Sequence, residues 1–458
     1  MSESIQLIFA TALFLITYVL IISEKIHRTV AALVGASLMA LTKIIGLEEV
    51  VNAIDFNTIG LLVGMMMIVG ITRRTGIFEY LAIKAAKSSK GDPIEIIASL
   101  ALITAILSAF LDNVTTVLLI VPVTFAITKK LECNPLPFLI AEIIASNIGG
   151  TATLIGDPPN IMIGSATGLG FMDFIFNLTP AIVVIYVITI FCIQLIYRKQ
   201  LVAKPELQAV IVQINEKDEI KDANLLLKCL VVITLTVLGF VLHQYVHLES
   251  SVIALSGASL LLLVTRDDPE HSLQSVEWPV IFFFIGLFVL VGALEKVGVI
   301  EVMAKWSLEV TGGKILPTAM LVLWLSAIAS AFVDNIPFVA TMIPLIQDMG
   351  RLGDIPDLNI LWWALSLGAC LGGNGTAIGA SANVVVIGMA EKKGLFISFI
   401  NYMKVAFPLM IMSIVISSGY LILWYFLHTT LAMFITLGIA TVLVILLKQL
   451  AKMLIEHK

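Results

Sequence analysis

Charge is scarce in this sequence. Asp, Glu, Lys and Arg together make up 13% of its 458 residues, about half the share found in a soluble domain. That scarcity excludes a soluble enzyme and leaves no basic surface for a nucleic-acid partner. Cysteine is scarce too. Cys133, Cys192, Cys229 and Cys370 are scattered and form no C-x-x-C pair, which excludes a disulfide framework and a structural zinc site. No Gly-x4-Gly-Lys-Ser/Thr run occurs, so a nucleotide-driven pump would need a separate ATPase subunit. What is abundant is apolar, at 59% of the chain. The net charge of −5 says little, because membrane proteins distribute charge by side. The expectation is a polytopic, all-α membrane protein whose first partner is the lipid bilayer. Residues 5–22 are apolar, with no basic residue before them and Lys25 and Arg28 after them. This is the reverse of a signal peptide and reads as a first transmembrane helix with its N-terminus outside.

The two halves repeat at an offset of 222. Ala32-Leu33-Val34-Gly35-Ala36-Ser37-Leu38 meets Ala254-Leu255-Ser256-Gly257-Ala258-Ser259-Leu260. Ser108-Ala109-Phe110-Leu111-Asp112-Asn113 meets Ser330-Ala331-Phe332-Val333-Asp334-Asn335, and Pro122 meets Pro344. One residue further on, Gly149-Gly150 meets Gly372-Gly373, Gly156 meets Gly379 and Asn160 meets Asn383. Apolar helices resemble one another in any register, but Asp-Asn and Gly-Gly pairs do not recur by hydrophobicity. The first repeat spans 1–197, a cytoplasmic linker 198–223, the second repeat 224–426, and an extra C-terminal helix 427–458.

Each repeat contains a pair of short apolar segments broken at a polar tip, 94–128 and 316–346. With arms of about 15 residues, roughly 22 Å as helix, each falls short of the ~30 Å hydrocarbon core. A re-entrant hairpin is expected in both places. The spans 136–164 and 361–390 carry glycine and proline where a helix does not tolerate them, so unwound helices at mid-membrane are expected. With hairpins returning to their own side, Lys and Arg gather on one face, including Lys84, Lys87, Lys129, Lys130, Arg198, Lys199, Lys392 and Lys393. That face is expected to be cytoplasmic, in a multi-pass protein of the cell membrane with its C-terminus inside. Five crossings per repeat invert the second repeat relative to the first, a construction of secondary transporters.

Mid-membrane acids cost ~2.5–3.5 kcal/mol each on the insertion scale and are functional candidates by default. Asp112 and Asp334 sit at the two tips, each followed by an amide, Asn113 and Asn335. Carboxylate and amide oxygen suit Na⁺ or H⁺, while helix capping is the plainer role for the same residues. The first break, Asn147 to Asn160, offers Asn147, Gly149, Gly150, Thr151, Thr153, Asp157 and Asn160. Its mate offers Gly372, Gly373, Asn374, Thr376 and Asn383. Freed carbonyls there suit a cation, and half-helix N-termini suit an anion. Asp157-Pro158-Pro159 is replaced by Ala380-Ser381-Ala382 in the mate, so the site is asymmetric. Glu142, inside an apolar run, has Leu365 as its mate.

The run Phe110-Leu111-Asp112-Asn113-Val114-Thr115-Thr116, with Asn147-Ile148-Gly149-Gly150-Thr151-Ala152-Thr153-Leu154-Ile155-Gly156-Asp157-Pro158-Pro159-Asn160, resembles the arsenite permease and melanosomal P-protein branch of the ion transporter superfamily, which includes citrate transporter-like proteins. The likeness covers about 5–426. It implies a homodimer, no enzymatic activity, and ion-coupled secondary transport of a small inorganic ion or solute. Proton or sodium coupling would run through the tip aspartates, with Na⁺ near Asp112, Asn113, Asp334 and Asn335. Dicarboxylate symporters of the superfamily carry Ser-Asn-Thr tips. The acids here argue against a dicarboxylate. A Na⁺/H⁺ antiporter of the NhaD type and an anion channel like the melanosomal protein are the alternatives.

Overall fold

The computed structural model describes residues 3–23 and 25–456. The described residues contain helices and no strands. The first repeat comprises α1 (Glu3–Ser23), α2 (Arg28–Leu41), α3 (Leu47–Ala53), α4 (Phe56–Arg73), α5 (Ile77–Ser88), α6 (Pro93–Phe110), α7 (Asn113–Leu131), α8 (Leu136–Thr151), α9 (Pro158–Thr167) and α10 (Phe171–Tyr197). The linker holds α11 (Pro205–Gln213). The second repeat comprises α12 (Ala223–Val246), α13 (Ser250–Thr265), α14 (Pro269–Leu273), α15 (Trp278–Lys296), α16 (Val299–Thr311), α17 (Ile315–Phe332), α18 (Asn335–Gly353), α19 (Asn359–Gly372), α20 (Ser381–Lys392) and α21 (Phe399–Glu456). Ten stretches of these helices are long and apolar enough to cross a membrane. Large apolar side chains such as Leu15, Val19, Leu227 and Leu263 stay exposed on the outer helices, as a lipid-facing surface requires.

The repeats interlock. Helix α2 packs on α15 of the other repeat, and α4 packs on α13. These are symmetry mates, and the same small residues serve both. A Cβ on Gly64 would lie 2.6 Å from the Ala254 carbonyl carbon, and one on Gly286 would lie 2.8 Å from that of Ala32. Within each repeat the first hairpin arm lies along the broken helix, α6 on α8 and α17 on α19. The short helices α5 and α16 begin alike, after Gly76 (φ 79°) and Gly298 (φ 82°) in the left-handed region, which a glycine enters without strain.

Three element boundaries differ from the sequence expectation. The hairpin arms α6 and α7 have 18 and 19 residues, about 27–28 Å at 1.5 Å per residue. Shortness therefore does not mark them as re-entrant. Their tips do, because both hairpins end against each other in the interior. The second difference is α2. At 14 residues, Arg28–Leu41, it is about 21 Å long, shorter than the full crossings, five per repeat, expected from the sequence. The third lies at the C-terminus. The last crossing of the second repeat and the extra helix run together as α21, 58 residues without interruption. The sequence 427–430 has neither glycine nor proline, so nothing turns the chain there. The extra helix expected over 427–458 therefore follows the last crossing without a turn, and Thr430–Leu447 is itself long and apolar enough to cross a membrane.

Candidate ion-binding site

The two broken helices unwind for steric reasons. At Gly149 a Cβ would sit 2.1 Å from the Ala105 carbonyl oxygen, and at Gly372 it would sit 2.5 Å from that of Ala327. Gly156 and Gly379 would each meet the facing glycine carbonyl, of Gly150 and Gly373, at 2.6 Å. Only glycine allows the chain to fold back this tightly. The hairpin arm then stitches the break, identically in both repeats. The Ser108 hydroxyl donates to the Ser146 carbonyl at 2.7 Å, and Ser330 donates to that of Ala369 at 2.6 Å. The Thr153 hydroxyl donates to the Ala109 carbonyl, and Thr376 to that of Ala331. Thr151 donates instead to the Asn147 carbonyl within α8, at 2.7 Å.

The carbonyls freed by unwinding are largely taken. Asn160 Nδ2 donates to the carbonyls of Thr151 and Thr153 at 3.1 and 2.8 Å. Its mate Asn383 donates to Gly373 and Thr376, both at 2.8 Å. Each of these four carbonyls thus accepts from a buried amide. They hold the breaks in shape through buried amides.

A second layer of amides joins the repeats. Asn147 Nδ2 donates across the pseudo-twofold to Asn383 Oδ1 at 3.0 Å and to Asn374 Oδ1 at 2.9 Å. The mate of Asn147 is Cys370, whose Sγ approaches Asn160 Oδ1 at 3.7 Å. Asn113 Nδ2 donates to Asn147 Oδ1 at 3.1 Å. All of these side chains are buried.

Asp157 is at the centre of the network and is fully buried. It is the residue before α9, yet its carboxylate makes no capping bond. It accepts instead from Asn335 Nδ2, at 3.3 Å to Oδ1 and 3.2 Å to Oδ2, and from Asn113 Nδ2 at 3.5 Å. One amide from each hairpin tip thus meets a carboxylate that the repeat does not duplicate.

The tip acids behave differently from each other. Asp112 caps α7, accepting from the backbone N–H of Thr115 at 2.8 Å and from its hydroxyl. Asp334 caps α18 through the N–H of Ile336 at 3.2 Å, and it also binds a cation of the chain itself. Arg28 Nη1 lies 2.6 Å from Asp334 Oδ2 and 2.6 Å from Ser381 Oγ. The Arg28 guanidinium also stands 5.1 Å from the Phe283 ring centre. A shared cation between Asp112 and Asp334 was the expectation. The structure gives Asp334 to Arg28 instead. Arg28 was read as one more basic loop residue. The signal against that reading was its position at the first residue of α2, where the helix dipole disfavours a positive charge. Glu277, before α15, was also missed.

Asp112, Asn113, Asp157, Asn335, Arg28 and Glu277 line one small pocket of about 30 Å³. That is room for about one water-sized occupant. Three carboxyl groups face it once Asp334 is paired. No group of three or more acid, His or Cys ligands suited to a metal ion forms among the described residues. Glu142 lies elsewhere, buried against the Thr124 hydroxyl.

Two interlocked helical repeats, with paired hairpin tips and broken helices around a small acidic pocket, define a multi-pass membrane transporter. The chain belongs to the citrate transporter (CitMHS) family, which its residues 18–368 match. It is 43% identical over 423 residues to the 46 kDa membrane protein of Mycobacterium leprae, covering 91% of this chain and 99% of that one. An uncharacterized transporter of Mycobacterium tuberculosis is 44% identical over 422 residues, covering 91% and 98%. The human P protein is 36% identical over 507 residues, which is 92% of this chain and 60% of that protein. The crystal structure of the Alcanivorax borkumensis YdaH transporter, described as having an unusual topology, superposes with a TM-score of 0.57. It is 15% identical and covers 82% of this chain and 87% of that one; the likeness is one of fold.

Proposed function

We propose that the chain is a cation-coupled secondary active transporter of a small inorganic ion, with Na⁺/H⁺ exchange as the activity that best fits the site. The observation that carries this reading is Asp157, fully buried and met by amide N–H groups but by no cation of the chain. A buried carboxylate is costly unless paired. Here a proton or an alkali ion supplies the missing charge from outside. Asp112 and Glu277 face the same small pocket and favour a cation further. The acids do not converge as a cage for a divalent metal, which leaves monovalent ions served by one carboxylate and amide oxygens.

The family's name suggests citrate, and its P-protein relatives suggest other cargoes. Three acids facing the pocket repel a tricarboxylate. The same acids disfavour an anion channel. Arsenite, neutral at physiological pH, escapes the charge argument.

The test is proton movement in everted vesicles energised to an acid interior, followed with a pH dye on addition of Na⁺ or Li⁺. Wild type should show a cation-driven rise in interior pH, and Asp157→Asn and Asp112→Asn should abolish it at equal protein levels. Retention of the full response in Asp157→Asn contradicts the reading.

A further inference from the structure

The two hairpin tips are related by the repeat, but their charge environments are not. Asp112 and Asp334 align at the offset of 222, and so do Arg28 and Ser250. Tip two therefore has a guanidinium at 2.6 Å, while the matching position for tip one carries a serine. Asp112 accepts from the Thr115 hydroxyl and backbone N–H. The Arg28 side chain is held from three directions, by Asp334, by Ser381 at the start of α20, and by the face of Phe283 on α15. Ser381 closes the triangle, since its hydroxyl also lies 2.8 Å from Asp334 Oδ2. Carboxylate, hydroxyl and cation here make a complete small cation site whose cation is covalently part of the protein.

We propose that Arg28 is a built-in occupant of the second of two symmetry-related cation positions, so that each chain takes up one exchangeable monovalent cation, at the Asp112 and Asp157 side. Arg28 is a specificity-determining residue in this sense. It satisfies Asp334 permanently and restricts the exchangeable ion to the tip that lacks an arginine. An arginine suits that task because its guanidinium stays charged at any physiological pH and binds a carboxylate and a second acceptor together. The physical consequence is a change in ion count when the arginine is removed. Asp334 and Ser381 then retain their oxygens and lose their cation.

This inference rests on the cation-coupled reading above, and one experiment separates the two. Equilibrium binding of radioactive sodium to the purified full-length protein in detergent gives ions bound per chain without requiring transport. Wild type is expected to bind one, Arg28→Gln two, and the double variant Arg28→Gln with Asp334→Asn one again. Arg28→Lys, which keeps the charge, should bind one. A count of one in Arg28→Gln overturns this inference and leaves the cation-coupled reading intact. No sodium bound by any variant overturns the inference, and absence of both sodium binding and cation-driven proton movement removes the reading beneath it. If Arg28→Gln does not fold, Asp334→Asn in the native background decides. It should leave the count at one, and its loss of sodium would contradict the assignment of the exchangeable site to the other tip.

Discussion

Asp112, Asp334 and Asp157 all precede a helix, but only the first two spend their carboxylates on capping it. Asp157 is turned inward to Asn335 and Asn113, so its removal takes nothing from the helix start. Asp157→Asn should therefore keep the thermal stability of the purified protein near wild type while abolishing cation-driven proton movement. Asn147 has the opposite character. Its amide satisfies Asn374 and Asn383 and accepts from Asn113. Asn147→Ala leaves buried polar groups unpaired at about 1–3 kcal/mol each, and a drop in melting temperature in detergent checks it. The pairs Asp112 and Asp334, Asn113 and Asn335, and Asn160 and Asn383 were legible because the repeat sets them in matching places, and Asp157 because it stands in a Gly-Asp-Pro-Pro break. Arg28 was not. Its partner lies 306 residues away in sequence, and a basic residue after the first apolar segment is also what an ordinary cytoplasmic loop carries.

The breaks in the helices depend on backbone contact, and glycines are sensitive in proportion to what they face. Gly149→Ala would drive a methyl group into the Ala105 carbonyl at 2.1 Å and should reduce the yield of folded protein severalfold. Gly419→Ala, on α21 with open space around it, should be tolerated, and it lends the helix propensity that alanine has over glycine. Size-exclusion profiles of the two variants side by side check the contrast. The breaks themselves were legible from Gly-Gly and Asp-Pro-Pro. Element lengths were less so. Hydropathy marks where a segment becomes apolar, whereas α6 starts earlier, at Pro93, under the Asp92 cap. The continuity of α21 was hidden for a similar reason. A few less apolar residues look like a turn to a hydropathy window, but a helix stops only where its backbone hydrogen bonds have a reason to stop.

The whole molecule combines a symmetric frame with an asymmetric centre. Interlocking of α2 with α15 and α4 with α13 makes the frame a joint product of both repeats. On the face rich in lysine and arginine, ion pairs tie loops to helix ends. Arg74 binds Asp267 through two nitrogens, at 3.1 and 2.6 Å, and Lys87 binds Glu216 of the linker. The arginine and the lysine hold both acids below the ordinary carboxylate range. An acid depressed in the folded state contributes stability above its unfolded value and loses it as pH falls through its folded value. Thermal stability in detergent should therefore decline on acidification below the ordinary carboxylate range, and less so in Arg74→Gln combined with Lys87→Gln. At the centre, a buried acid met by amides but by no cation of the chain makes the account depend on an ion from outside. The most direct measurement is internal pH in proteoliposomes of purified protein under an imposed Na⁺ gradient and no other driving force, comparing wild type with Asp157→Asn. The account predicts a pH change that follows the direction of the sodium gradient in wild type and is absent in Asp157→Asn. An equal pH change in both, or none in a folded wild type, would contradict it.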